Sequence, residues 1–297
     1  MNSVETAYAV GWRVVRALPA PVARAAFTAA ADLTVRRNPK GVARLRENLR
    51  RVAGPDNLDA LVRAGMRSYL RYYLEAFRLP GYSRKDILRM FRLDGEALLR
   101  ADVESGRGAI VALPHAANWD LAGAWAAAKG WPLVAIAERL KPEGLYRRFV
   151  EFRERLGMEI IPLTGAEKPP FDLLVERLAK GYIVALLADR DLPGRGVEVD
   201  FFGAPTTMPP GPAMLALRSG APLYAVDMWY ERDAVCARLD GPLPVPAPDS
   251  GSLTERIRVL TQDLADRFAA GIARHPEDWH MLQRMWREPA RTGDRSR

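Results

Sequence analysis

The feature that most limits what this chain can fold into begins near residue 105, where short apolar runs start to alternate with helical stretches. Residues 109–113, 133–137, 160–163, 183–188 and 223–228 read as buried strands, separated by helical patterns at 119–129, 142–156, 171–180 and 212–219. Helices between strands put cover on both faces of a sheet, so the expected fold class is α/β with a mainly parallel central sheet flanked by helices. Ligands of such sheets sit beyond the carboxyl ends of the strands. A late strand at 234–239, a proline-rich loop at 241–248, a helix at 252–273 and a final turn at 279–286 close the domain.

The chain before this region reads differently. Residues 7–31 resemble two amphipathic helical pieces, with Tyr8, Trp12, Val15 and Leu18 on one apolar flank, but Arg13, Arg16, Pro19, Pro21 and Arg24 interrupt any bilayer span. From Arg36 and Arg37 to Arg51 the chain is densely basic, with Glu47 its one acid. Aromatic and aliphatic residues beside arginines suit a helix lying in a lipid interface, where rings enter the headgroup boundary and guanidinium groups meet phosphates. Trp12, Arg13, Arg16, Arg36 and Arg37 are the expected membrane contacts; the plainer reading is packing against the protein's own core. Next, Leu58, Leu61, Val62, Met66, Tyr69, Leu70, Tyr73 and Phe77 form a helical stripe beside a ridge of Arg63, Arg67 and Arg71. The expected division is a membrane-associating helical segment at 1–55 and an α/β domain at 56–297. The residues after Met1 lack the pattern of a secretory signal, which points to the cytoplasm.

Composition narrows the chemistry. A single cysteine, Cys236, leaves no internal disulfide or CxxC pair, and three histidines leave little for a metal site, so none is expected. The excess of 44 basic over 36 acidic residues, mostly as arginine, favours anionic partners. No Walker loop, GxSxG elbow, GxGxxG fingerprint or HExxH is present, and nothing pairs aromatics with basic residues as an RNA-binding sheet would. A nucleic-acid partner is not expected.

The most informative stretch runs from Ala109 to Leu121. His115 lies just past a buried strand, Asn118 can cap the following helix, and Asp120 falls in its first turn, near enough to accept a hydrogen bond from the imidazole. A carboxylate that orients one ring nitrogen leaves the other free as a base. A second strand end carries Asp189, Arg190 and Asp191, followed by Glu198 in Val197–Phe201. These charges need a cleft or an ion-pair network. If strands 109–113 and 183–188 are neighbours, Asp189 also approaches His115. Glu138 follows a third strand, and Arg153 lies on the helix after it.

Taken in order, 115–120 (HAANWD), 137–142 (AERLKP), 152–157 (FRERLG), 188–192 (ADRDL), 197–203 (VEVDFFG) and 208–213 (MPPGPA) resemble the bacterial lauroyl/myristoyl acyltransferases of lipid A biosynthesis. They look most like the actinobacterial branch of that family. The resemblance covers nearly the whole chain and is weakest before residue 55 and after residue 287. It implies transfer of a fatty acyl group, mainly from palmitoyl-CoA, to a mannose hydroxyl of a phosphatidylinositol mannoside at the inner face of the plasma membrane. Acyl-CoA would be the donor substrate, with no cofactor. His115 would act as general base, supported by Asp120 or Asp189, without an acyl-enzyme. Asp189, Asp191 and Glu198 all lie in the motif, and Asp189 is preferred because it adjoins the strand end. Arg153 or backbone N–H groups would meet the oxyanion, and Glu138 and Arg190 would position substrate. A lipid A type or glycerolipid acyltransferase using another acceptor or acyl carrier protein is the second enzyme reading; a basic membrane-binding protein is the non-enzyme one.

Overall fold

The computed structural model of the chain describes residues 11–138, 143–165, 168–191 and 194–286, with the side chain of Leu145 set aside. The expectations placed on Tyr8, on residues 139–142 and on Leu192 lie outside these residues. Residues 11–17 are helical, followed by helices α1 (Ala20–Arg37), α2 (Lys40–Ala53), α3 (Leu58–Arg78), α4 (Arg84–Met90), α5 (Glu96–Glu104), α6 (Trp119–Lys129), α7 (Glu143–Arg155), α8 (Pro170–Leu178), α9 (Gly211–Ser219) and α10 (Leu253–Arg274). The strands are β1 (Phe91–Asp94), β2 (Ala109–Leu113), β3 (Leu133–Ala137), β4 (Glu159–Pro162), β5 (Ile183–Leu187), β6 (Val197–Phe201), β7 (Ala204–Met208), β8 (Leu223–Tyr230) and β9 (Val235–Asp240).

The main sheet has the order β1-β9-β8-β2-β5-β3-β4, and β8–β9 is its antiparallel pair. Its strands are apolar on both faces because both faces are covered. Ile110, Ala112, Val184, Leu186 and Leu223 point to a core shared with α8, α9 and α10, through Leu174, Leu215, Leu264 and Phe268. Their alternates Ala109, Leu113, Ile183 and Tyr224 point to the opposite core, where α6 and α7 supply Leu121, Trp125, Tyr146 and Phe152. Each large side chain so buried contributes roughly 1.5–3 kcal/mol. The α/β class and the mainly parallel sheet expected from the sequence are what the chain adopts.

Helices α1 and α2 pack on α3. Ala31, Val42, Leu45 and Leu49 share one core cluster with Leu58, Val62 and Met66, so the packing continues across residue 55. Helix α2 is amphipathic, burying Val42, Leu45 and Leu49 at helical spacing. Helix α1 buries only the small Ala23 and Ala31, and leaves Val22 and Leu33 about half exposed, at 52% and 46%. Among the described residues, no helix is long and apolar enough to cross a membrane.

Three elements differ from expectation. Strand β1 is short and sits at the sheet edge beside β9, where Phe91 is buried and Arg92 exposed. The charged stretch 197–203 is half of a β-hairpin: Val199 and Phe201 face inward while Glu198 and Asp200 face water, and Phe202 and Gly203 turn the chain at positive φ (52° and 70°). The closing turn at 279–286 is instead a short 3-10 turn at Pro276–Asp278, followed by a segment that lies against the loop after β2.

Candidate active site

Strands β2 and β5 pair in parallel with Leu113 opposite Leu187, so the side chains two residues beyond each strand end, His115 and Asp189, arrive together. The His115 Nδ1 lies 2.6 Å from Asp189 Oδ1, and the His115 backbone N–H donates to Oδ2 at 3.0 Å. Trp279 Nε1 donates to the same oxygen at 2.9 Å. Asp189 is fully buried. Burial by itself would raise its pKa, but the charge of His115 and these three donors outweigh it and hold the carboxyl below its ordinary value. With Nδ1 committed, Nε2 is the ring nitrogen left for chemistry.

The loop carrying His115 is pinned from behind. Ala117 adopts a positive φ of 47° and its N–H donates to the Asp278 carbonyl at 3.0 Å, while the His115 carbonyl accepts from the His280 N–H at 2.7 Å. Asn118 then caps α6 by accepting from the Leu121 N–H at 3.0 Å, a contact of about 1 kcal/mol in typical helices. Its amide donates to Glu75 at 2.9 Å.

Asp120 does not orient the imidazole. Its oxygens take Arg153 Nε at 2.7 Å and the Tyr72 hydroxyl at 2.9 Å. The first turn of α6 aims this carboxylate toward α3 and α7, and Asp189 occupies the ring nitrogen instead. Burial would lower the Arg153 pKa, yet the charge and hydrogen bond of Asp120 raise it. Burial and the same carboxylate push Tyr72 far above the usual phenol range, so its hydroxyl remains a donor. Tyr72 stacks on Trp119 at 4.1 Å, and Trp119 meets the His115 ring edge-on at 5.6 Å.

These groups sit at the polar end of a cavity of about 380 Å³ that also takes in Glu138 and Arg190. The volume lies within the roughly 300–1,000 Å³ common for small-molecule sites. Arg190 faces Glu138 at 3.7 Å. The remainder is apolar and runs between the sheet and α6, past Leu113, Ala122, Trp125, Ala185, Val226 and Leu239. Such a shape suits a long hydrocarbon chain that ends beside the His115 ring.

Asp189 lies behind His115 without lining this cavity, and two expected substrate-binding residues stay outside it altogether. Asp191 accepts from the Gly196 N–H at 2.6 Å and closes its own loop. Glu198 is exposed on the hairpin, opposite Thr207. Among the expected membrane contacts, Trp12 turns inward: its N–H donates to the Phe77 carbonyl at 2.8 Å and its ring packs on Phe77 and Phe152 at 5.1 and 5.4 Å. Its aromatic surface packs on the protein itself and remains partly exposed. Arg13, Arg16, Arg36 and Arg37 are exposed.

Sequence reasoning missed a second network next to the first. The Ser68 hydroxyl donates to Asp278 at 2.6 Å, so its oxygen accepts from His280 Nε2 at 2.8 Å, and the buried Nδ1 is left without a partner. Burial, and after it the charge of His115, push His280 down to about 3. Burial pushes Asp278 up to about 6. The sequence offered only the histidine itself, since Ser68 and Asp278 are 210 residues apart.

A family model described as bacterial lipid A biosynthesis acyltransferase matches residues 3–288. A phosphatidylinositol mannoside acyltransferase of Mycolicibacterium smegmatis is 48% identical over 94% of this chain and 90% of its own length. One from Mycobacterium tuberculosis is 46% identical over 96% of this chain and 89% of its own.

Proposed function

This chain belongs to the bacterial lipid A biosynthesis acyltransferase family and is an acyltransferase, and on that premise we propose that it moves a fatty acyl group, palmitoyl by preference, from acyl-CoA to a mannose hydroxyl of phosphatidylinositol mannoside. The observation that carries the reading is the buried Asp189 bonded to His115 at 2.6 Å, at the polar end of an otherwise apolar cavity.

A sugar hydroxyl is a poor nucleophile near neutral pH. His115 Nε2 takes its proton as the oxygen attacks the thioester carbonyl, and Asp189 stabilises the imidazolium that forms. The carbonyl oxygen becomes an oxyanion, met by the Arg153 side chain, which Asp120 holds in place. Collapse of the tetrahedral intermediate breaks the carbon–sulfur bond, and the imidazolium returns its proton to the departing CoA thiolate. The products are the mannose ester and free CoA, with no acyl-enzyme and no metal or cofactor. Glu138 and Arg190 hold the substrates at the cavity mouth.

The enzyme works as a peripheral protein at the cytoplasmic face of the plasma membrane. Half-exposed Val14, Val22 and Leu33 lie in the same helical region as the exposed Arg13, Arg16, Arg36 and Arg37, a mixture suited to an anionic lipid surface.

Incubation with phosphatidylinositol mannosides and either palmitoyl-CoA or palmitoyl-acyl carrier protein, followed by mass spectrometry of the lipids, tests the assignment. A palmitoylated product formed preferentially from the CoA thioester supports it. Preference for the carrier-protein thioester refutes the donor, and failure to acylate mannose while another hydroxyl acceptor is acylated refutes the acceptor.

A further inference from the structure

Helix α3 has two working faces. At ~100° per residue, Tyr69, Tyr72 and Tyr73 lie opposite Arg63, Arg67, Arg71 and Leu74. The tyrosines line the active-site cavity; the arginine face lines a second cleft of about 610 Å³, which shares no lining residue with the first.

This second cleft lies between α1 and α3 and reaches the β8–β9 turn. Its lining carries Arg24, Arg63, Arg67, Arg71, Arg78 and Arg232 against the carboxyls of Glu75, Glu277 and Asp278. Most of the internal partners are accounted for. Arg67 is paired with Asp32, Arg71 with Glu75, and Asp278 bonds Ser68 and the Tyr230 N–H. Arg78 donates to the carbonyls of Val15 and Leu18, which leaves its charge uncompensated. Arg24 and Arg232 have no hydrogen-bond or ion-pair partner among the described residues, and Arg63 makes no such contact but feels the charge of Asp32, the carboxylate that Arg67 already engages. Between the arginines lie Phe27, Leu74, Tyr82 and Met90. Guanidinium groups in excess of carboxylates along a concave surface match a phosphate, whose oxygens they can engage in a fork.

We propose that this cleft binds the phosphate of an anionic phospholipid headgroup, separately from the reacting substrates. The apolar side chains between the arginines fit the glycerol and first methylenes of a lipid, which a free phosphate lacks. Helix α1 forms one wall through Ala20, Arg24, Phe27 and Thr28, and its outer side presents the half-exposed Val22 and Leu33. A phosphate held here fixes α1 and α3 at a lipid surface and sets how the opposite face of α3 meets a lipid substrate.

The test is calorimetric titration of the full chain with monomeric dioctanoyl phosphatidylglycerol, which lacks the inositol and mannose of the acceptor assigned above, in the absence of any acyl donor, so that its outcome is independent of that reaction. The protein should bind at one saturable site. Combined Arg24→Ala, Arg63→Ala and Arg232→Ala should weaken binding by more than about tenfold, whereas Arg44→Ala, Arg218→Ala and Arg258→Ala, of equal charge change outside the cleft, should alter it by less than about threefold. Ala64→Trp, which fills the cleft without changing its charge, should also weaken it. Equal losses in the two arginine triples, or no saturable binding by the unaltered chain, would overturn the site; inorganic phosphate competing at the same concentration as the lipid would overturn its assignment to a headgroup.

Discussion

His115 and His280 lie next to each other, joined through the His280 N–H and the His115 carbonyl at 2.7 Å, and each belongs to a carboxylate network. His115 meets Asp189 directly at 2.6 Å, whereas His280 reaches Asp278 only through Ser68, at 2.8 and 2.6 Å. Direct contact and three donors hold Asp189 ionised in spite of complete burial. With a hydroxyl interposed, burial wins: His280 falls to about 3 and stays neutral, and Asp278 takes up its proton near 6 instead of 3.8. The first pair can accommodate a positive ring and therefore a proton in transit; the second, although His280 lines the cavity, ties the chain together through a neutral ring. The difference lies in the spacing between the imidazole and its acid, not in residue type.

The most damaging way to probe this contrast is to remove the catalytic ring. His115→Ala should lower acyl transfer by about a thousandfold while the circular dichroism spectrum stays unchanged, since a general base contributes roughly 10²–10⁴-fold. Asp189→Asn keeps the ring and removes its charge partner; kcat should fall by about a hundredfold with a smaller change in KM, because the loss appears when the ring becomes cationic. His280→Phe should behave oppositely: activity within about tenfold of the unaltered protein, and a loss of about 1–3 kcal/mol in denaturant unfolding from the broken bond to Ser68. A large loss of activity at full stability would erase the distinction between the two histidines.

The smallest effect is a change of slope with pH. Asp278 has a folded pKa raised from 3.8 to about 6, so its contribution to stability is complete below 3.8 and lost as pH rises through 6. His280 has a folded pKa lowered from 6.5 to about 3, so its burial costs stability as pH falls from 6.5 toward 3. The two slopes oppose each other in the shared window. Asp278→Asn removes the first and should expose the second, with unfolding free energy falling by about 2 kcal/mol between pH 6.5 and 4 beyond the change in the unaltered protein. An unchanged or reversed slope would show that folding does not raise the Asp278 pKa.

Particular residues show why some of this is legible in sequence. The run Ala109–Leu113 is apolar because both sheet faces are covered, and Asn118 marks the start of α6 by its capping chemistry, so the strand-to-helix junction holding His115 can be read locally. The choice between Asp120 and Asp189 cannot. Asp120 is near in sequence but is drawn to Arg153 and Tyr72, whereas Asp189 arrives because β5 inserts beside β2, after β3 and β4 in chain order. Trp279 and Ser68 are invisible for the same reason, since their contacts span 90 and more than 200 residues. Hairpin β6–β7 is obscured by its charges: Glu198 draws attention as candidate chemistry, although the alternation of Glu198 and Asp200 with Val199 and Phe201 is what a half-exposed strand requires. Trp12 shows the limit of composition, because the ring that suits a lipid interface also suits Phe77 and Phe152.

The central claim concerns which nitrogen of one imidazole carries its proton. In ¹⁵N-histidine NMR spectra of the intact protein at neutral pH, the His115 ring should show hydrogen on Nδ1, with a strongly downfield proton that disappears in Asp189→Asn, and an unprotonated Nε2 facing the cavity. A His115 signal with hydrogen on Nε2 and a bare Nδ1, unaffected by Asp189→Asn, would contradict the account.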